Sequence, residues 1–205
     1  DFYKDRAARW SPDGESILFL SDRSGRYEAW LVRADGSDLR KVSTTVGEHW
    51  AQAPLWAPDA AQIIVNTAEG APLSVEAEIP WEQQTPIVLA PGGDPADYMF
   101  GWSWTQDGDL LAGWNEGIVV YDTTDQSREQ LTDFGTRPVW IDEGNRLLFF
   151  DEAALYLLDR STKRTTEILE TAPHRIQSFG ISSDLRWLYL SLTQAEADIW
   201  IAELQ

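Results

Sequence analysis

Two histidines, His49 and His174, are the only imidazoles among 205 residues, and neither lies in a His-Glu-x-x-His or comparable ligand spacing. A metal site is therefore not expected. Cysteine is absent, which removes thiolate ligands, disulfides and a cysteine nucleophile together. Serine catalysis would require a Gly-x-Ser-x-Gly elbow between a strand and a helix, and the chain has neither that motif nor a helical segment to carry it. Asp35-Gly36-Ser37-Asp38 has the acidic spacing that opens a calcium loop, yet the rest of the twelve-residue loop and its closing Glu are missing. A hairpin turn accounts for it. A glycosidase would need two carboxylates flanking a sugar. No such pair stands out among the thirty-four acidic residues, and most of the eleven tryptophans read as core. The expectation is a chain with no catalytic residue, no metal and no cofactor, whose work is binding.

Charge narrows the partners. Sixteen basic residues against thirty-four acidic ones leave a formal net charge of −18, spread along the chain without a block of like charges. Nucleic acid and anionic membrane surfaces are excluded on this ground. No run of about eighteen apolar residues is present, so membrane insertion is not expected, and Asp1-Phe2-Tyr3-Lys4-Asp5 does not read as a signal peptide.

The elements that must position any site come from a repeat. Trp10-Ser11-Pro12-Asp13-Gly14 returns as Trp56-Ala57-Pro58-Asp59-Ala60, Trp104-Thr105-Gln106-Asp107-Gly108 and Trp140-Ile141-Asp142-Glu143-Gly144, with Ile181-Ser182-Ser183-Asp184-Leu185 as a fifth, decayed copy. The anchors are spaced by 46, 48, 36 and 41 residues, close to the roughly 40–45 residues of a four-stranded propeller blade. After each turn comes a short apolar run: residues 17–20, 63–65, 110–112, 147–150 and 187–190. These are too short for helices and read as buried second strands. Third strands follow at 29–32, 73–75, 118–121, 155–158 and 199–202, then polar turns and a half-exposed outer strand. Pro12 presets φ, Asp13 can accept backbone N–H groups and Gly14 tolerates positive φ, so the motif is first a hairpin device.

Trp10-Ser11-Pro12-Asp13-Gly14, Ile17 to Gly25, Tyr27-Glu28-Ala29-Trp30 and Ala34-Asp35-Gly36-Ser37 together resemble the WD40-like repeat of the TolB family of propellers. The same repeat is found in the propellers of prolyl-oligopeptidase-type peptidases and of sensor-like receptor kinases. The resemblance implies an all-β fold, a β-propeller of about five four-stranded blades over residues 6–48, 49–96, 97–135, 136–175 and 176–205. The last blade lacks its outer strand; since this family usually closes as six or seven blades, the chain is expected to be the C-terminal part of a larger propeller, with a five-bladed ring whose last blade is incomplete as the alternative. The function implied is a non-catalytic protein- or peptide-binding or sensory module located outside the cytoplasm. A carbohydrate-active or glycan-binding propeller and an accessory propeller of a peptidase stand as alternatives.

With strands running from the centre outward, the turns after strand two and the links between blades share one face. It would gather Asp22, Arg23 and Arg26, then His49 and Trp50, then Asp97 and Tyr98, then Phe134, and finally His174 and Arg175. Loops on a rigid scaffold carry binding, and aromatic residues with Arg and His make anchors for a protein or peptide. Those ten residues form the expected binding face; sealing the joints between blades is the competing role.

Overall fold

The computed structural model describes residues 3–43, 51–67, 72–89, 98–182 and 184–193. Among them the chain forms four antiparallel four-stranded sheets and one two-stranded sheet, each a meander in chain order. The first holds β1 (Asp5–Trp10), β2 (Ser16–Ser21), β3 (Glu28–Arg33) and β4 (Arg40–Lys41). The second holds β5 (Ala51–Trp56), β6 (Gln62–Thr67), β7 (Leu73–Glu76) and β8 (Ile87–Val88). β9 (Phe100–Trp104), β10 (Leu110–Trp114), β11 (Ile118–Asp122) and β12 (Arg128–Gln130) make the third. The fourth is β13 (Thr136–Trp140), β14 (Arg146–Asp151), β15 (Ala154–Asp159) and β16 (Arg164–Glu170), and the fifth pairs β17 (Arg175–Ile181) with β18 (Leu188–Thr193). The third strand expected at 199–202 lies outside the described residues, and β4 is shorter than its sequence suggested, with Leu39 exposed and Val42 fully buried.

The repeated motif builds the first hairpin of each sheet. In the first, the Ser11 hydroxyl donates to Asp13 Oδ1 at 2.5 Å and accepts from the Ser16 N–H, while Asp13 also takes the Glu15 N–H. Thr105 and Asp107 repeat this arrangement in the third sheet, and Ser182 with Asp184 repeats it in the fifth. Where Ala57 and Ile141 replace the hydroxyl, Asp59 and Asp142 accept two backbone N–H groups directly. The residue after the acid has φ of +75° at Gly14 and +82° at Gly108, and Ala60 and Leu185 are held left-handed at +58°. Hydroxyl donors keep the carboxyls of Asp13, Asp107 and Asp184 below the ordinary carboxylate range, backbone N–H groups adding to the effect. In the turn after β15, the Ser161 hydroxyl, the Thr162 N–H and the Thr162 hydroxyl bring Asp159 down to about 2.

Sheets stack face to face, so second and third strands are buried on both sides. Ile63 and Val65 join Leu18, Leu20, Ala29 and Leu31 in one core between sheets one and two. Ile64, on the opposite face of β6, joins Leu111, Val119 and Tyr121 between sheets two and three. The alternate residues Ala112, Ile118 and Val120 then meet Leu147 and Phe149 of sheet four, and Phe150 and Leu155 meet Ile176, with Phe179 and Leu190 of sheet five packed against them. Continuous apolar runs are the sequence form of strands covered twice.

Each anchor Trp is the wedge of one such joint. Trp56 packs into the core shared with sheet one, Trp104 against that shared with sheet two and Trp140 into that shared with sheet three. Trp56 and Trp140 are nearly inaccessible, whereas Trp10, with no sheet on that side among the described residues, is 60% exposed.

Two outcomes follow from the turns. Left-handed φ costs an L-residue about 1–2 kcal/mol, partly offset by about 0.4–1 kcal/mol of unfolded-chain entropy when glycine is introduced. Ala60→Gly and Leu185→Gly should each raise stability by about 0.5 kcal/mol in urea unfolding; a loss in both would show that the turns do not need this conformation. The aspartates favour the ionised form in the fold, so their contribution is complete above the unfolded pKa of about 3.9 and is lost as pH falls through the folded values, to about 2 for Asp159. Thermal midpoints should fall through this window, and Asp159→Asn should flatten its lower part.

Candidate binding site at the mouth of the channel

The first strands of consecutive sheets adjoin one another: β1 lies against β5, β5 against β9 and β9 against β13. They form the inner wall. Every first strand breaks register: between Arg6 and Arg9, Gln52 and Leu55, Thr136 and Val139, and Ile176 and Ser178, with Trp102 the unpaired residue of β9. Ala7, Ala53 and Arg137, each three residues before an anchor Trp, are left-handed at φ +55°, +30° and +51°. Such bulges bend a strand and re-aim its side chains.

Single side-chain bonds to backbone lock these strands together. The Trp56 indole donates to the Arg9 carbonyl at 3.4 Å, and the Ser103 hydroxyl donates to the Pro138 carbonyl at 2.6 Å. Buried Asn66 donates to the carbonyls of Ala53 and Gly101 and accepts the Gly101 N–H at 2.8 Å. Arg137 Nη1 donates to the Gln177 carbonyl of the fifth sheet.

The bulges enclose an open cavity of about 550 Å3, lined by Arg6, Ala7, Phe100, Trp102, Trp114 and Arg137 among others. Its aromatic wall is continuous, with Phe100 and Trp114 ring centres 4.6 Å apart and Trp102 edge-on to Trp114 at 5.4 Å. Glycine allows this wall to close: a Cβ at Gly113 would fall 2.3 Å from the Phe100 carbonyl oxygen. Cations flank it. The guanidinium carbons of Arg9 and Arg137 lie 5.1 and 5.3 Å from the Trp102 ring centre, and that of Arg6 is 3.7 Å from the Tyr27 ring. Burial lowers the Arg9 pKa from its ordinary value, but a guanidinium remains charged at neutral pH. Arg6, Arg9 and Arg137 have no carboxylate partner among the described residues. A smaller cavity of about 340 Å3 lies between sheets two and three, but its Asp59 and Asp107 are already engaged by their own turns.

The topology brings the loop residues singled out above to this same end. Tyr98, Phe134 and His174 lie just before the first strands, Arg175 opens β17, and Asp22, Arg23 and Arg26 fill the β2–β3 turn, where Asp5 pairs with Ser21. Their side chains differ in employment. Asp22 accepts the Lys4 N–H at 2.8 Å. Arg23 binds Asp5 at 3.1 Å and Ser21, and covers Phe19 and Trp30. The Arg26 carbonyl accepts the Ser24 hydroxyl. Phe134 is edge-on to Phe149 and Tyr156 at 5.4 and 5.2 Å, inside a joint between sheets. Tyr98 is half-buried, the His174 N–H is tied to the Thr171 carbonyl, and Arg175 makes an exposed pair with Glu152 at 3.4 Å. His49, Trp50 and Asp97 lie outside the described residues.

Comparison with solved structures identifies the architecture. An oligogalacturonate lyase in complex with manganese superposes with a TM-score of 0.67 at 13% identity, over 88% of this chain and 57% of that one. A putative TolB from Agrobacterium tumefaciens superposes at 0.64 with 15% identity, over 93% of this chain and 80% of that one. The fold is a β-propeller. These identities establish fold alone, and no family model matches the sequence. A curated relative, the uncharacterized peptidase YuxL of Bacillus subtilis, is 28% identical over 147 residues. The alignment takes in 69% of this chain but only 21% of YuxL, so this propeller spans about a fifth of that relative's length.

The sequence reads most tryptophans as core and does not set Trp102 and Trp114 apart, although both line the open cavity. It does not single out Arg6, Arg9, Phe100 or Arg137. Their one signal is position relative to the anchors: Arg6 and Phe100 lie four residues and Arg137 three residues before an anchor Trp, and Arg9 directly before one. The two kinds of Trp should separate by mutation. Trp56→Ala should cost about 3–5 kcal/mol in urea unfolding, as a filled joint is emptied, and Trp102→Ala, on an open cavity, about 1–2 kcal/mol. Equal losses would make Trp102 a part of the packed scaffold rather than of a site.

Proposed function

We propose that this chain is a non-catalytic binding propeller within a larger bacterial protein, and that the mouth of its channel, with the loops around it, holds a protein or peptide. The observation that carries this reading is the open, aromatic, cation-flanked cavity framed by bulged strands at the loop-bearing end. Bulges recur next to functional sites, and exposed rings beside arginines are the side chains that dominate binding energy. An extracytoplasmic location belongs to the same reading and is consistent with the likeness to TolB. Among the described residues no helix is long and apolar enough to cross a membrane.

The similarity to YuxL supports a second reading, an accessory propeller that controls access to a peptidase domain of the same protein. The two separate in the full-length protein. A binding module should capture a discrete partner by crosslinking, and Trp102→Ala together with Tyr98→Ala should weaken capture about tenfold or more, with the variant still cooperatively folded after the loss of about 1–2 kcal/mol expected of Trp102→Ala. An accessory propeller should leave capture unaffected and change peptide-length selectivity in a peptidase assay.

A further inference from the structure

Resting on the binding reading above, we infer that the channel mouth selects acidic peptides, seating a carboxylate among Arg6, Arg9 and Arg137 with the adjoining peptide against Trp102. Arg6 and Arg137 line the cavity, and Arg9 lies beside the Trp102 ring of its wall, in a chain of net charge −18. Six other arginines are paired: Arg23 with Asp5, Arg33 with Glu15 and Glu78, Arg40 with Asp38, Arg146 with Asp142, Arg160 with Glu129 and Arg175 with Glu152. Arg6, Arg9 and Arg137 meet ring faces, with no carboxylate partner among the described residues. Cation–π contact holds a guanidinium in place while leaving its N–H groups for a carboxylate; Arg137 has given one Nη1 donor to the Gln177 carbonyl and offers those that remain.

Half-burial of Arg9 strengthens the attraction, because a charge pair partly shielded from water is screened less by solvent and salt. The negative exterior contributes selectivity. An acidic segment gains only where cations outweigh carboxylates, as they do in the lining of this cavity, which holds Arg6 and Arg137 and no acidic residue. A peptide also suits the wall beyond the charges, since Phe100, Trp102 and Trp114 present flat apolar area to a side chain or peptide plane.

The test uses three probes on the purified protein: penta-glutamate, penta-glutamine and tri-galacturonate, followed by tryptophan fluorescence and calorimetry. Penta-glutamate should bind and penta-glutamine should not, and Arg6→Gln and Arg9→Gln should each weaken binding about tenfold or more, with unchanged thermal midpoints. Arg6→Lys should recover part of the affinity, since it restores charge without the two-point geometry. Equal binding of the two peptides, or binding indifferent to both Gln variants, overturns the inference. So does binding of tri-galacturonate in preference to penta-glutamate, which would assign the arginines to a sugar acid. Partner capture by the full-length protein separates the two levels. Capture lost in Trp102→Ala but intact in the Arg6→Gln, Arg9→Gln double variant defeats the acidic selectivity alone, whereas capture indifferent to Trp102→Ala defeats the binding mouth itself.

Discussion

Everything in this molecule depends on one constraint: a blade is a sheet with two apolar faces, and each must be covered by another sheet. The anchor tryptophan meets that demand at the three joints among sheets one to four, and Phe150, Leu155 and Ile176 meet it at the joint with sheet five. The tryptophan ends the first strand of its own sheet and fills the gap toward the preceding one, as Trp56, Trp104 and Trp140 do. The turn that follows is subordinate. Its hydroxyl and carboxylate satisfy backbone N–H groups at a tight reversal, so that β2 starts in register and presents alternate residues to two different cores. Registration matters here more than in a sheet with one wet face, since slipping by one residue would exchange the contents of two joints.

The same constraint explains why chemistry collects on the first strands. Second and third strands are saturated with apolar contacts, whereas the first strand has a side facing the axis, where water or a ligand stands. Bulges at equivalent places in all five sheets turn that side into a wall with its own composition. Arg6, Phe100, Trp102 and Arg137 stand on it, apart from the cores that the second and third strands fill. Scaffold and site are thus separable: the anchor Trp belongs to the first, and the bulged residues before it are free to belong to the second.

This division also governs what could be read from sequence. The second strands were legible because double burial writes an uninterrupted run such as Leu147-Leu148-Phe149-Phe150, and the turns were legible because Asp-Gly chemistry is local. First strands were harder. Asp5-Arg6-Ala7-Ala8-Arg9-Trp10 has no alternation, since a bulge breaks the period of two and the axial side is not apolar. Arg137 is brought near Arg6 and Arg9 only by the closing of the sheets around the axis, across 128 to 131 residues of chain, and no local pattern records that. The loop face was legible as a place: Tyr98, Phe134, His174 and Arg175 do stand at the entrances to β9, β13 and β17. What each side chain does there was not, because Phe134 looks the same in sequence whether its ring points to solvent or into a joint.

The exposed Trp10 has a meaning for assembly. Inside the stack each contact joins the anchor face of one sheet to the opposite face of its predecessor, so the contact is polar, and an anchor face is complementary to something other than itself. Trp10 presents an anchor face with no sheet laid on it among the described residues. A sheet that covered it would have to offer the face opposite its own anchor side, as sheets one, two and three do to Trp56, Trp104 and Trp140. The joint therefore has a direction, and two copies could not share it about a twofold axis.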